Sequence, residues 1–324
     1  MTGFTDSSDK VYLADLQVCL RKSWSKETSA DPDNWSLENP AWGQCAITTL
    51  VVQDFYGGSI TRLDISKAPD PKIAAMRSHY FNNIEGRDID FSISQFPGGK
   101  APTPPKLWPE NNNTLRQLLT PESLSQRTRG QLLENEVTKR RYKLLRLLIA
   151  RKLFDDNPLF NDPIFRQCLE LALESDCQKG KYGCVAIHKG KTIAQTFNRI
   201  LEPLRDWCTP ECMRKSIPSR TESMLGACGH AEELALAVVR DLRVDIREVE
   251  FFVAGFRSNG LVYIKPEVDS TCIRCGVQFY IHGVEKTYVP VKTKWEMLGR
   301  EEMLRSAKDF ALQTKSLKNF KTRQ

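Results

Sequence analysis

Apolar residues follow a helical period over one long stretch near the middle of the chain. Between Arg129 and Phe154 they alternate with seven basic side chains, Lys139, Arg140, Arg141, Lys143, Arg146, Arg151 and Lys152. This pattern predicts an amphipathic helix whose basic face is solvated, and a nucleic-acid groove is the less favoured interpretation. Residues 155–163 follow with two prolines and no periodicity, so they mark the best domain boundary.

The pattern after this boundary alternates between helical and strand-like periods. Helices are predicted at Pro163–Ser175, His230–Leu242, Cys272–His282 and Trp295–Leu312, and strands at Cys184–His188, Thr192–Phe197, Val249–Ala254 and Val284–Val289. A hairpin signal, Lys189-Gly190-Lys191, joins the first two strands. The order of elements predicts an α/β fold in which a mixed sheet lies between two helical layers, a three-layer α/β/α sandwich.

The pattern before the basic helix is of a different kind. A helix is predicted from Cys45 to about Phe55, and strands at Ser78–Asn82 and Arg87–Phe91 form a hairpin about Glu85-Gly86. Residues 96–113 carry five prolines and three consecutive asparagines, which predict a loop. We therefore expect an α+β domain at residues 1–157, an α/β domain at 158–295, and a C-terminal helix with a basic tail at 296–324.

Composition narrows the class of protein without choosing a function. The chain has 324 residues, ten cysteines and a formal net charge of +7. Its first ten residues lack the apolar core of a signal peptide and no apolar run reaches membrane-spanning length, so we expect a cytoplasmic protein with no membrane partner. The cysteines are then expected as thiols, metal ligands or nucleophiles. The positive charge favours anionic partners such as nucleotides or nucleic acid.

Two short motifs in the second half combine the ligands that zinc prefers. His230-Ala231-Glu232 opens one predicted helix, and Cys272-Ile273-Arg274-Cys275 opens another. His230, Cys272 and Cys275 can fill three positions of a tetrahedral zinc site and leave the fourth open for water. Glu232 does not share the direction of His230, so we expect it to act as the general acid and base. A closed, structural zinc site is the alternative, and the His-Ala-Glu motif favours catalysis.

Further motifs accompany the two zinc motifs. Residues 182–187, Tyr-Gly-Cys-Val-Ala-Ile, contain the predicted first strand, and Asn198 closes the second. With His230-Ala231-Glu232 they make residues 160–295 resemble the zinc-dependent cytidine and deoxycytidylate deaminase superfamily. The resemblance implies that fold, a zinc cofactor, a sugar contact at Asn198, a base contact by the Ala231 N–H, and a homo-oligomer. Thr271 stands before Cys272 where the superfamily usually has proline, so the entry to that helix is expected to differ.

A long connection between Asn198 and Gly229 contains Cys208, Cys212 and Cys228. The deoxycytidylate branch of the same superfamily has a cysteine-bearing insertion at this place, sometimes with an additional zinc. The resemblance therefore implies a second, structural metal at these three residues. Incidental reduced cysteines are the favoured alternative.

The first domain holds a separate candidate site. Cys45 opens a predicted helix, where a thiol becomes a better nucleophile, and His79 shares a hairpin face with Asp88 and Asp90. Cys45, His79 and Asp90 could thus form a nucleophile, base and orienter set of papain type. The alternative is a buried structural cysteine and a surface histidine. Motifs that include Trp42–Ala46 and Ser78–Asn82 make residues 10–155 resemble the YunG-like family of bacterial proteins of unknown function, which strengthens the catalytic interpretation and leaves the substrate open.

Three functions fit these motifs. The preferred one is a zinc-dependent hydrolytic deaminase of a cytosine-bearing nucleotide or nucleoside, in which water attacks the ring amidine carbon and ammonia leaves. The first domain is then an accessory domain. The second is deamination of cytosine or adenine within a polynucleotide. The third, of another class, is a zinc-stabilised nucleotide-sensing or structural module attached to a cysteine hydrolase or transferase.

Overall fold

Two compact units divide the chain between Asp155 and Asp156. The structure, a computed structural model, describes residues 11–96, 118–208, 212, 214, 226, 228–265 and 272–313. The predicted proline-rich loop after Phe96, the position of Thr271 and the basic tail after residue 313 lie outside the described residues. Within the described part, no helix combines the length and apolar character that crossing a membrane requires.

The N-terminal unit is an α+β arrangement around an antiparallel sheet. Its helices are α1 (Leu13–Ser23), α2 (Cys45–Tyr56), α3 (Pro71–Ala75), α4 (Arg129–Leu133) and α5 (Glu136–Leu153), and its strands are β1 (Ser59–Asp64), β2 (Ser78–Ile84), β3 (Arg87–Ile89) and β4 (Leu124–Arg127). The strand order is β3-β2-β1-β4. Helix α2 is apolar and buried over most of its length, and it packs against β2 and α5. It is therefore the central helix of this unit.

The predicted hairpin is confirmed. Glu85 and Gly86 both have positive φ, 51° and 77°, which suits a two-residue turn between antiparallel strands. Asp90 follows β3 directly, and the pairing of Asp88 with Asn83 places Asp88 on the face of the hairpin that carries His79, as predicted. The Asp88 carboxylate accepts a hydrogen bond of 2.7 Å from the Asn83 side chain, so it does not serve His79 itself.

The predicted basic helix is wrong in two respects. It is two helices, because the Asn135 side chain accepts a hydrogen bond from the Thr138 N–H at 2.9 Å and so caps the start of α5. Its basic residues are also not all solvated. Arg146 is 1% exposed, and its Nε lies 3.1 Å from Oδ2 of Asp54 in α2, while Arg129 Nη1 lies 3.1 Å from Oδ1 of the same carboxylate. These two cations balance a buried anion within the unit.

The C-terminal unit is an α/β arrangement around a mixed sheet, as predicted. Its helices are α6 (Pro163–Ala172), α7 (Ala231–Asp241), α8 (Ile273–His282) and α9 (Arg300–Gln313), and its strands are β5 (Lys181–His188), β6 (Lys191–Phe197), β7 (Arg199–Ile200), β8 (Cys228–Gly229), β9 (Val249–Phe256), β10 (Lys286–Val291) and β11 (Lys294–Leu298). The main sheet has the order β11-β10-β9-β5-β6, in which β9 and β10 are parallel and the other neighbours antiparallel. Strands β7 and β8 pair separately.

Helices pack on both faces of strand β5. Cys184 points into a core that also contains Ala231 and Ala235 of α7. The next position along the strand, Gly183, faces the other way, where a Cβ would lie 2.1 Å from the Cys168 carbonyl oxygen of α6. Only glycine allows so close an approach between this strand and that helix.

The predicted final helix is wrong at its start. Residues from Lys294 to Leu298 form β11, which returns antiparallel to β10 after a turn in which Lys292 has a φ of 51°. The Trp295 ring packs edge-on against Phe165 and Phe252, with centroid distances of 5.7 and 5.3 Å. These contacts with rings of other elements favour an extended backbone at Trp295. The apolar spacing after Trp295, which is helical, does not indicate this strand.

Candidate functional site

His230 and the two cysteines of the second motif come together at the starts of α7 and α8. His230 is the N-cap of α7 and Cys272 the N-cap of α8. Nδ1 of His230 lies 3.2 Å from Cys272 Sγ and 3.1 Å from Cys275 Sγ, and the two sulfurs are 3.4 Å apart. Among the described residues these three form the group of metal-ligating side chains whose donor atoms all lie within 4.8 Å.

This donor set fits a small divalent metal ion. One imidazole nitrogen and two sulfurs are ligands that zinc prefers, and tetrahedral zinc would hold its two sulfurs about 3.8 Å apart. The observed triangle is smaller by about 0.4 Å, which small outward movements of the side chains would correct. The three predicted ligands could therefore hold a metal ion.

Two further side chains, Glu233 and Arg274, tie the helix starts together. Glu233 accepts a hydrogen bond of 3.1 Å from the His230 backbone N–H and forms an ion pair with Arg274 of α8. Neither residue was predicted from the sequence, although a glutamate three positions after an N-cap is a recognisable capping signal. On the sheet side, Thr196 Oγ1 donates a hydrogen bond of 2.7 Å to the Ala231 carbonyl oxygen. The α7 start is thus fixed to both α8 and β6.

Glu232 is buried in the first turn of α7, with 8% of its surface exposed. Burial raises the pKa of this carboxyl group, and the charge on the Cys272 sulfur raises it further. Burial would lower the pKa of His230, but the neighbouring Cys272 sulfur raises it to about 9. The pKa of Cys272 is lowered chiefly because its sulfur accepts a hydrogen bond from Cys275. Burial acts in the opposite direction, and a hydrogen bond from His230 lowers the pKa further. The Glu232 carboxyl group is therefore close enough to Cys272 and His230 to interact with them electrostatically.

The two residues predicted to contact substrate lie nearby. Asn198 is buried, its Oδ1 accepts a hydrogen bond from the Tyr182 N–H at 2.7 Å, and its Nδ2 donates to the Gly180 carbonyl at 2.8 Å. Its amide therefore joins the end of β6 to the start of β5, and a sugar contact would use the remaining N–H of that amide. Ala231 is the first residue of α7, so its N–H has no acceptor within the helix. Both contacts stay predictions.

The three cysteines predicted to hold a second metal lie in one cluster. Cys208 and Cys212 are buried with Ile200, and Cys228 packs against them. Cys177, which sequence analysis overlooked, also belongs here: a hydrogen bond from Cys228 lowers the pKa of Cys177 to about 6. Among the described residues, the donor atoms of His230, Cys272 and Cys275 lie within 4.8 Å of one another, and the sulfurs of this second cluster do not form such a group. The second metal stays a prediction, with Cys177 as a further donor.

Cys45, His79 and Asp90 also come together, within the N-terminal unit. His79 Nε2 lies 2.6 Å from Asp90 Oδ2, and the side chains of Cys45 and His79 share a hydrogen bond. Gln95, which the sequence analysis missed, places its Nε2 at 3.0 Å from His79 Nδ1. His79 is fully buried, so the expectation of a surface histidine is wrong. Burial would lower the pKa of His79, but Asp90 and then Cys45 raise it to about 10.

Comparisons with known proteins concern this N-terminal unit. The family model of the YunG protein matches residues 12–153. The uncharacterised protein YunG of Bacillus subtilis (strain 168) is 39% identical over 83 residues, which is 25% of this chain and 60% of that protein. No solved structure matches the chain. The N-terminal unit is therefore similar to YunG proteins.

Proposed function

We propose that the C-terminal unit is a zinc-dependent hydrolytic deaminase acting on a cytosine-bearing nucleotide or nucleoside. One observation supports this most strongly: a buried carboxyl group, Glu232, lies beside a His-Cys-Cys set of ligands at two helix starts. A purely structural metal site has no need of such a carboxyl group. We further propose that the mixed sheet and its helices form the three-layer sandwich of the cytidine deaminase superfamily.

The proposed mechanism assigns proton transfer to Glu232. His230, Cys272 and Cys275 would hold the zinc ion, which supplies a Lewis acid that lowers the pKa of water to about 7. Glu232 would accept one proton from the attacking water and give it to the ring nitrogen, and would then carry the second proton, from the newly formed hydroxyl group, to the departing amine. Its burial excludes bulk water, so the proton stays on the reacting groups.

The proposed substrate class rests on the resemblance of the motifs to the cytidine deaminase superfamily, in which Ala231 and Asn198 would contact the substrate. The Ala231 N–H, at the start of α7, would bind the cytosine ring, and Asn198 the sugar. The alternative is deamination within a polynucleotide. It loses part of its support because Arg129 and Arg146 form ion pairs with Asp54 inside the N-terminal unit and so do not offer their charge to a nucleic acid. We keep the zinc-stabilised sensing or structural module, attached to a papain-like cysteine enzyme, as the proposal from another class. The homo-oligomer implied by resemblance and the cytoplasmic location remain predictions.

Metal removal and substrate choice test the proposal together. Dialysis of the full chain against a chelator should abolish ammonia release from cytidine nucleotides, and added zinc should restore it. Parallel assays on free cytidine and adenosine nucleotides and on single-stranded DNA and RNA, at low and high salt, show whether the substrate is a free nucleotide or a polynucleotide. Polymer binding through many basic contacts weakens steeply with salt, whereas binding of one nucleotide does not. Ammonia release that persists without metal would contradict the proposal. A metal content of two ions per chain would support the second site, and one ion would contradict it.

A further inference from the structure

A cavity in the N-terminal unit opens onto the Cys45 side chain. Its volume is about 770 Å³ and its wall is formed in part by Trp42, Tyr80, Arg141, Asp31 and Lys72. It therefore mixes aromatic surface with charge of both signs. This volume is sufficient for a small organic substrate in contact with the sulfur.

A line of hydrogen-bonded groups supports the sulfur on its buried side. Cys45 bonds to His79, and His79 Nε2 lies 2.6 Å from Asp90. The second oxygen of Asp90 accepts hydrogen bonds from the Ser92 N–H at 2.9 Å and the Ser92 hydroxyl at 3.0 Å. The orientation of the imidazole is therefore fixed by an anchored carboxylate, which is the arrangement that activates a thiol nucleophile. Cys45 also begins the twelve-residue helix α2, so first-turn N–H groups can stabilise negative charge beside it.

Arg141 brings a positive charge to the same cavity. It is 8% exposed, its Nε donates to the Thr28 carbonyl at 2.8 Å, and its Nη2 donates to the Gly43 carbonyl at 2.9 Å. No carboxylate among the described residues pairs with it. Gly43 holds the loop before Cys45 in a conformation with a φ of 71°, in which a Cβ would lie 2.5 Å from Ser29 Oγ. The guanidinium is thus held in place by two backbone carbonyl groups, and no carboxylate of the described residues balances its charge.

We propose that the N-terminal unit contains a second active centre, in which the Cys45 thiol attacks the carbonyl carbon of an acyl compound whose anionic group is bound by Arg141. Burial of a cation without a counter-ion is costly, and an anionic substrate in the cavity would supply that counter-ion. The centre is independent of the proposed metal site. It would be a cysteine hydrolase or an acyl transferase for small anionic acyl compounds.

The proposed reaction needs no oxidant and no metal. With the Cys45 proton already carried by His79, a bond forms between sulfur and the carbonyl carbon, and the bond to the leaving group breaks as His79 gives that proton to it. Water, or an acceptor with a nucleophilic oxygen or nitrogen, then attacks the thioester, gives its proton to His79, and releases the acid or the transferred product. The Cys45 sulfur leaves as a thiolate while His79 keeps the proton, so the enzyme is regenerated.

Alkylation of Cys45 with a charged and a neutral reagent tests the proposal on the full chain. Iodoacetate carries a carboxylate and iodoacetamide does not, and peptide mass spectrometry reports each cysteine separately. We expect the iodoacetate-to-iodoacetamide rate ratio at Cys45 to exceed that at Cys19, a half-buried thiol of the same unit, by at least about tenfold. Arg141→Gln should remove this preference and leave the iodoacetamide rate within about twofold. Arg140→Gln, the exposed neighbour, is the matched control and should change neither rate.

Substitutions of the groups that support the sulfur test the nucleophile in the same reaction. Asp90 and Arg141 are the charged groups that interact with the Cys45–His79 pair, and Asp31 and Lys72 line the same cavity. His79→Asn should slow the reaction of Cys45 with iodoacetamide, because the ring that accepts the thiol proton is then absent. Asp90→Asn should slow the reaction, whereas Asp88→Asn, on the same hairpin, should not.

Three results would overturn the proposal. An inert Cys45, or a reaction rate that His79→Asn does not change, would exclude the nucleophile. Equal slowing of both reagents by Arg141→Gln would exclude the anionic substrate. A measurement on the unaltered chain covers the case in which that variant does not fold: succinate should protect Cys45 from iodoacetamide and neutral succinamide should not, and equal protection by the two would contradict the role of Arg141.

Discussion

Glu232 and Glu233 are adjacent, yet they serve different parts of the candidate metal site. Glu233 uses both carboxylate oxygens structurally, one on the His230 N–H and one on Arg274. Glu232 is buried beside the ligands, and its burial raises the pKa of its carboxyl group, which the charge on Cys272 raises further. The proposed catalytic role therefore belongs to Glu232 alone. A loss of activity on substitution of Glu233 would instead indicate that the starts of the two helices had moved.

At the same scale, His79 should make the stability of the N-terminal unit depend on pH. Its pKa is raised from an ordinary value of about 6.5 to about 10, so the folded state favours the protonated ring. Its contribution to stability is then complete below pH 6.5 and is lost as the pH rises towards 10. Hydrogen exchange of α2 and β2 at pH 6.5, 8 and 10 should show this loss in the unaltered chain and not in His79→Asn. The same loss in both proteins would contradict the assignment.

Individual residues were predictable from sequence where a spacing encodes the chemistry. The interval between Cys272 and Cys275 places both sulfurs on one face of a first helical turn, and His230 marks the start of the other helix. Arg274, Gln95 and Cys177 carry no such signal, because each acquires its partner only when distant segments meet. The sequence therefore predicted which residues come together at the two candidate sites, but not the neighbouring side chains that they contact.

At the scale of elements, Gly183 limits how closely α6 can approach β5. In Gly183→Ala the new Cβ would lie 2.1 Å from the Cys168 carbonyl oxygen, so the helix or the strand must move. We expect the free energy of unfolding of the C-terminal unit to fall by about 1–3 kcal/mol, or more, by urea denaturation. Gly299→Ala, where a Cβ meets nothing within 4 Å, is the control and should cost less. Equal effects would show that this contact does not limit the packing.

Asp54 joins helix α2 to α4 and α5 through a buried ion cluster. Its carboxylate contacts Arg129 and Arg146, and it also accepts a hydrogen bond of 2.7 Å from the Tyr142 hydroxyl. Asp54→Ala leaves two largely buried cations unbalanced, so we expect a loss of about 3–5 kcal/mol in the N-terminal unit. Asp64→Ala removes a surface ion pair with Arg62 and should cost about 0–1 kcal/mol. Similar losses in the two variants, measured by urea denaturation, would contradict the buried cluster.

Elements were predictable where local periodicity and tertiary packing agree. The hairpin of β2 and β3, helix α2 and the β5–β6 hairpin all follow from turn residues and apolar spacing. Strand β11 does not, because Trp295 is held by rings from α6 and β9 that are distant in sequence. The basic helix failed for a similar reason, since the burial of Arg146 depends on Asp54 of another helix.

At the scale of the whole molecule, the chain contains two units with separate candidate chemistry. The sequence predicted the α/β class of one unit and the α+β character of the other, because their element orders differ. Cys45 and the metal ligands belong to different units. Cys45→Ala should therefore leave the rate of ammonia release unchanged, with Cys19→Ala as its control. A loss of that activity in a correctly folded Cys45→Ala protein would show that the two chemistries are coupled.

The central claim is that the C-terminal unit is a zinc-dependent deaminase with Glu232 as proton carrier. The most direct measurement is ammonia release by Glu232→Gln, made beside its metal content and compared with Asp241→Asn, an exposed change on the same helix. We expect Glu232→Gln to keep the metal and lose activity by at least about a hundredfold, while Asp241→Asn keeps both. Full activity in Glu232→Gln with its metal retained would contradict the account.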